Sequence, residues 1–197
     1  MIQADLHIHT VYSSDSLIQP KSLVDMLVAH SFIKVAAVTD HDSVRGCRAT
    51  VELAAAYTDI LIISGVEVST TGGDMLVLGT EELPPKPWTP ESVVDYGKSI
   101  GAVTIVAHPF REYGMGDLAR KYSVDAIEVL NGNSSTSANN EAKALAKSMG
   151  LPGTAGSDAH QVSELFRVNA KIEANLNVES VLKAIKKGSL STQVSKG

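Results

Sequence analysis

Ile2-Gln3-Ala4-Asp5-Leu6-His7-Ile8-His9 sets an acid and two imidazoles at alternate positions of a mainly apolar run. Successive side chains of a β-strand point to opposite faces. The alternation therefore predicts a strand with Asp5, His7 and His9 on one face and Leu6 and Ile8 on the other. An exposed polar face fits the apolar remainder of the run poorly. The polar side is better read as part of a site, where two imidazoles two residues apart can grip one cation.

Outward from this strand, apolar runs recur at residues 34–39, 60–68, 75–78, 102–107, 126–130 and 168–174, with a shorter one at 152–155 leading into Gly156. Most are continuously apolar, as buried strands of a parallel sheet are. The run 75–78 is the least secure, which leaves about seven core strands. Helical patterns lie between them at 20–30, 43–57, 89–100, 137–149 and 177–187. Thr89 is placed as an N-cap with Pro90 at the first helical position. Gly150 and Gly188 suit helix stops. Strands alternating with helices imply βαβ units. An eight-fold barrel takes about 250 residues, and this chain has 197. The expected fold is α/β: one domain over residues 1–190 forming a smaller or incomplete barrel, with 191–197 a frayed tail.

Composition narrows the function classes. The formal net charge of −5 shows no basic excess, so extended nucleic acid is not an expected partner. The single cysteine, Cys47, excludes an internal disulfide; on a predicted helix it reads as a packed or surface thiol. No apolar run reaches membrane-spanning length, and Met1 is not followed by a signal-like segment. A soluble cytoplasmic protein without membrane attachment is expected.

Of the six histidines, all but His30 fall at or just beyond the end of a predicted strand. In α/β barrels the C-terminal strand ends carry the active site. His41, in Thr39-Asp40-His41-Asp42, can ligate metal while Asp40 or Asp42 orients a ring; Asp42 or Ser43 serves equally well as a helix N-cap. Glu67 is a carboxylate inside an apolar strand and needs a cation or strong hydrogen bonds. His108 taken singly reads as a core histidine. Asp158 and His160 share a face by period two, and barrel closure brings them to the first strand. Asp15 is a loop acid. Arg111 offers either a fork for phosphate or a surface charge. His30, near a helix end, is read as structural. Nitrogen and oxygen donors without thiolate suit zinc, manganese or iron.

Together, Asp-Leu-His-Ile-His-Thr (5–10), Thr-Asp-His-Asp (39–42), Gly-Val-Glu-Val-Ser-Thr (65–70), Ala-His-Pro-Phe (107–110) and Gly-Ser-Asp-Ala-His (156–160) resemble the PHP family, the polymerase and histidinol phosphatase domain. The resemblance spans nearly the whole chain and implies a distorted (β/α)7 TIM-like barrel. It implies two or three divalent metal ions: one on His7, His9, Glu67 and Asp158, a second on Asp15, His41 and His160, and a third shared by Glu67 and His108. Many relatives carry a histidine shortly after the glutamate motif. Here Gly73 is followed by Asp74, which either ligates in its place or faces solvent. The implied activity is hydrolysis of a phosphate ester by metal-activated water, with Glu67, His160 and His41 in catalytic roles. Arg111 and Asn131 would contact a small phosphorylated substrate, and Glu128 is a buried charge partner without assigned chemistry. The alternatives are an exonuclease acting on oligonucleotide ends and a catalytically silent metal-bearing regulatory module.

Overall fold

In the computed structural model, which describes residues 1–195, β1 (Ile2–Ile8) is the hub of a single mixed sheet. It pairs in parallel with β2 (Ile33–Val38), and β2 pairs in parallel with β3 (Leu61–Thr70). β3 turns back into β4 (Gly73–Leu78), which is antiparallel to β3 and to β5 (Val103–Val106). β6 (Ala126–Asn131) and β7 (Gly153–Gly156) continue in parallel. β8 (Val168–Ile172) runs antiparallel beside Ile2–Ala4 of β1, and β9 (Leu190–Val194) antiparallel beside β8.

The other half of β1 closes the ring. The Asp158 amide donates to the His7 carbonyl at 2.7 Å, and the His9 amide to the Ala159 carbonyl at 3.1 Å. β1 thus holds β8 at its start and the residues following β7 at its end, and the sheet becomes a nearly closed barrel within one α/β domain. Gly156 makes the closure possible: a Cβ there would lie 2.2 Å from the His7 Cβ.

Among the described residues five α-helices flank the sheet: α1 (Pro20–Ala29), α2 (Arg45–Ala54), α3 (Pro90–Ile100), α4 (Thr136–Met149) and α5 (Val178–Lys187). Thr89 caps α3, accepting from the Ser92 amide while the Ser92 hydroxyl accepts from the Thr89 amide. Gly150 and Gly188 end α4 and α5 in the left-handed conformation that spares glycine a Cβ clash. Leu6, Val35, Ile63 and Ile105 pack with Val181 and Ile185 of α5. A second apolar cluster joins Ile8 and Val38 to Leu23 and Leu27 of α1. Each fully buried leucine or isoleucine contributes about 1.5–3 kcal/mol.

Four sequence expectations change. The sheet is mixed rather than parallel, because residues 75–78 belong to a genuine central strand reached through the tight turn Thr71-Gly72. Among the described residues nine strands form in place of about seven. Residues 191–194 of the expected tail belong to β9, whose backbone pairs with β8; 196–197 lie outside the described residues. Neither Asp42 nor Ser43 caps α2. Val44 is at the cap without a side-chain bond, and the Asp42 carboxylate instead accepts from the Ser69 amide at 2.9 Å.

Candidate metal centre

Four fully or almost fully buried side chains converge where the barrel closes: His7 from β1, His9 just past its end, Glu67 from β3 and Asp158 beyond β7. Their donor atoms lie within 4.8 Å of one another. The two Nε2 atoms of His7 and His9 are 3.0 Å apart. Glu67 Oε2 is 3.0 Å from His7 Nε2 and 3.1 Å from His9 Nε2. Asp158 Oδ1 lies 3.4 and 3.1 Å from the same nitrogens.

The opposite ring nitrogens explain why these lone pairs point inward. His7 Nδ1 is 3.0 Å from Glu128 Oε1, a carboxylate that only accepts, so Nδ1 carries the proton. His9 Nδ1 is 3.1 Å from Ser13 Oγ, whose hydroxyl donates to Asp40 Oδ1 at 3.1 Å. That hydroxyl has spent its proton on Asp40, so the His9 Nδ1 proton faces it. Both Nε2 atoms therefore face one point among two carboxylates, a place that a proton or a cation must occupy. The arrangement fits a divalent cation, with ring orientation fixed from behind as metal-ligating histidines generally require. Gly46 lets Asp40 approach: a Cβ there would meet Asp40 Oδ2 at 1.8 Å.

Two more groups share these residues. His41 and His160 gather with His9, and Asp15 Oδ2 lies 3.2 Å from His160 Nε2 and 3.6 Å from His41 Nε2. His160 Nδ1 donates to the Asp158 carbonyl at 2.8 Å, which leaves its Nε2 toward Asp15. Glu67, Asp74 and His108 form the third group, with His108 Nε2 2.9 Å from Glu67 Oε1. The buried His108 Nδ1 lacks a hydrogen-bond partner among the described residues. His108 and Asp158 both adopt positive φ, 24° and 53°, a strained conformation that concentrates at functional sites.

Charge and burial oppose each other throughout. Burial disfavours protonated His7, but the carboxylates of Asp158, Glu67 and Glu128 outweigh it and hold the imidazole well above its ordinary value. Burial is likewise overcome at His9, where bonds to Asp158 and Glu67 raise it to about 9. Glu67 and Asp158 fall below the usual carboxylate range despite burial, pulled down mainly by the neighbouring imidazoles. Burial, aided by the Glu67 charge, pushes Asp74 up to about 6. Burial lowers His41.

A cavity of about 620 Å³ opens over the cluster, lined in part by Asp15, His41, Asp74, His108, Arg111 and His160. Arg111 Nη1 pairs with Asp158 Oδ2 and donates to Asn131 Oδ1 at 3.2 Å. Asn131 in turn donates from Nδ2 to Glu128 at 3.0 Å and to Asp158 at 3.2 Å.

The candidates of the five sequence motifs, with Asp15, Asp74, Arg111 and Asn131, therefore meet at one barrel end. Asp5 departs from expectation. Its carboxylate accepts from the amides of Ser157 at 2.8 Å and Phe166 at 3.2 Å, stapling the seam rather than joining His7 and His9. Pairing of β1 with β2 is irregular between Asp5 and Ile8, so strict alternation fails there. His30 lies outside the cluster, its Nδ1 accepting from the Phe32 and Ile33 amides after α1. Cys47 is buried in the core. Glu128, expected as a buried charge partner, is one, and it also orients His7 and Asn131; an acid within the apolar run Ala126–Asn131 is the same signal that marked Glu67.

Residues 5–130 match the family model described as PHP domain, and residues 136–190 one described as PHP-associated. An uncharacterized protein of Methanocaldococcus jannaschii is 31% identical over 142 residues, covering 66% of this chain and 82% of its own. Among solved structures, a two-domain protein from Bacteroides vulgatus, described as containing a predicted PHP-like metal-dependent phosphoesterase, superposes with a TM-score of 0.81 at 20% identity. That match covers 98% of this chain but 64% of the longer protein. PsfC from Pseudomonas syringae gives a TM-score of 0.74 at 21% identity, covering 98% of this chain and 91% of its own. At these identities the structural likeness speaks to fold.

Proposed function

Because the chain belongs to the PHP domain family, we propose that it hydrolyses a small phosphate ester with two or three divalent ions held at the barrel end. The observation that carries this reading is the convergence of four buried donors, His7, His9, Glu67 and Asp158, with the ring protons of both histidines committed elsewhere. In this reading they hold the first ion. Asp15, His41 and His160 hold the second; Glu67 and His108, with Asp74 in place of a histidine, hold the third. The donor chemistry suits zinc, manganese or iron.

Such ions supply a lowered water pKa and offset charge on phosphoryl oxygens. The chain's own residues do the rest. Glu67 directs one oxygen to His7 and His9 and the other to His108, so it joins two of the groups. Arg111 is anchored through Nη1 to Asp158 and Asn131 and lines the cavity, and in this reading its remaining N–H groups form the fork for phosphate oxygens. His41 and His160 are partly exposed, unlike His7 and His9. In this reading either of them, when not committed to the second ion, passes a proton to the leaving group. The cavity of about 620 Å³ suits a small ester.

A panel of phosphate monoesters and diesters, assayed with added manganese, tests the reading. The parent should turn over at least one ester, and Glu67→Gln should lower that rate at least about a hundredfold together with metal content. A fully metal-loaded protein inactive across the panel would sink it.

A further inference from the structure

A second and larger cavity, about 820 Å³, lies between α1 and α4; it shares Asn131 with the surroundings of the metal centre and is otherwise lined by different residues. Its origin is topological. β1, β2 and β6 are each followed by a helix, whereas β7 is followed only by the 3-10 turn Val162–Glu164 before β8. The layer of helices is interrupted at the barrel seam, and the groove opens there. Leu165, Phe166 and Val168 are buried in its wall.

The charges around the groove have one sign. Lys143 of α4 and Arg167 before β8 border it, and among the described residues no Asp or Glu does, in a chain whose net charge is −5. Among the described residues neither cation has a salt bridge; their side chains also make no hydrogen bonds there. His30 also borders the groove. Its Nδ1 accepts two amide protons, so the neutral ring keeps its own proton on Nε2 as a further donor. Unpaired cations and a donor beside an apolar wall complement an anion with an apolar body.

We propose that this groove binds an amphipathic organic anion, its head met by Lys143 and Arg167 and its aliphatic or aromatic body lying on Leu165, Phe166 and Val168. The inference does not depend on phosphoesterase activity.

Octanoate and its neutral counterpart 1-octanol, titrated calorimetrically into metal-loaded protein, form the test. Octanoate should bind about ten- to a hundredfold more tightly than 1-octanol, the range expected for charge-assisted contacts. Lys143→Gln with Arg167→Gln should abolish that preference while metal content and circular dichroism stay as in the parent. Should the double variant misfold, each single substitution should weaken octanoate binding by itself. Equal affinity for the alcohol, octanoate binding unmoved in folded variants, or displacement of octanoate by inorganic phosphate would each overturn the proposal. So would a concentration-dependent dimer that the double substitution dissociates and octanoate does not compete with, which would make a second copy the occupant.

Discussion

Glu128 shows how much of the centre rests on residues that do not face the cavity. It accepts from His7 Nδ1, the His108 amide and the Asn131 side chain at 2.9–3.0 Å, so one carboxylate orients two proposed ligands and the asparagine beside a third. Loss of such an outer partner typically costs 10–100-fold in metal affinity. Glu128→Ala should weaken metal binding by about that factor, and Glu128→Gln, which can still accept the His7 proton, by less. Equilibrium competition with a chromogenic chelator reads both, and equal losses in the two variants would argue for a merely space-filling role. Arg111→Ala should leave the ion count unchanged and weaken binding of inorganic phosphate about ten- to a hundredfold, as expected for loss of a charge-assisted hydrogen bond. Isothermal titration beside elemental analysis separates the two readouts.

The elements divide by how clearly local pattern records them. β1 was legible because imidazoles at alternate positions stand out against an apolar strand. α3 was legible because Thr89 and Pro90 mark its start by local bonds alone. β4 was harder. Six residues entered through Thr71-Gly72 carry a hairpin signal in the glycines, but continuous apolarity does not report strand direction, so a central antiparallel strand passed for a doubtful parallel one. β9 alternates weakly and is half exposed, and its place depends on β8, remote in pattern if not in sequence. The site was the most legible part, because buried polar side chains are costly unless partnered. Asp5 escaped correct placement because the irregular pairing of β1 is set by closure of the barrel, not by β1 itself. At this scale the seam is the sensitive joint. Gly156→Ala would drive a Cβ into the His7 Cβ and amide and should cost about 3 kcal/mol or more, the upper end for overpacking. Gly150→Ala, with φ 66° but open space around it, should cost about 1–2 kcal/mol. Urea denaturation of both variants checks the order, and similar losses would show that the seam has room to give.

For the whole molecule, the proposed metal centre would tie stability to metal and to pH. Ions bound only by the folded chain add about 2.7 kcal/mol at a hundredfold excess over Kd, which for this chain length corresponds to about 5–11 °C in Tm. Chelation should lower Tm by that order, and restored metal should return it. The metal-stripped protein should also become pH-sensitive. Folding raises His9 from 6.5 to about 9, so its stabilising contribution is complete below pH 6.5 and is lost as pH rises through 9. Scanning calorimetry should show the stripped protein losing Tm over that window while the loaded protein, whose ring nitrogens are held by metal, loses less. Parallel pH profiles would count against a shared site.

The division of β1 between two late partners bears on how a growing chain acquires this structure. Ribosomes deliver β1 first, yet one of its edges is completed only by Asp158 and Ala159 and by β8, whose first residue is Val168. At synthesis rates of about 5–20 residues per second, that edge waits on the order of 8–30 s. During this interval a nascent chain presents an open strand edge whose Asp5, His7 and His9 lack most of the partners they will have when buried, a setting for mispairing with other chains. Emergence of residues 158–168 therefore ends the period of exposure, and the same stretch brings Asp158 and His160 to the cluster, so metal uptake in the proposed centre would report that synthesis has run far enough to close the barrel.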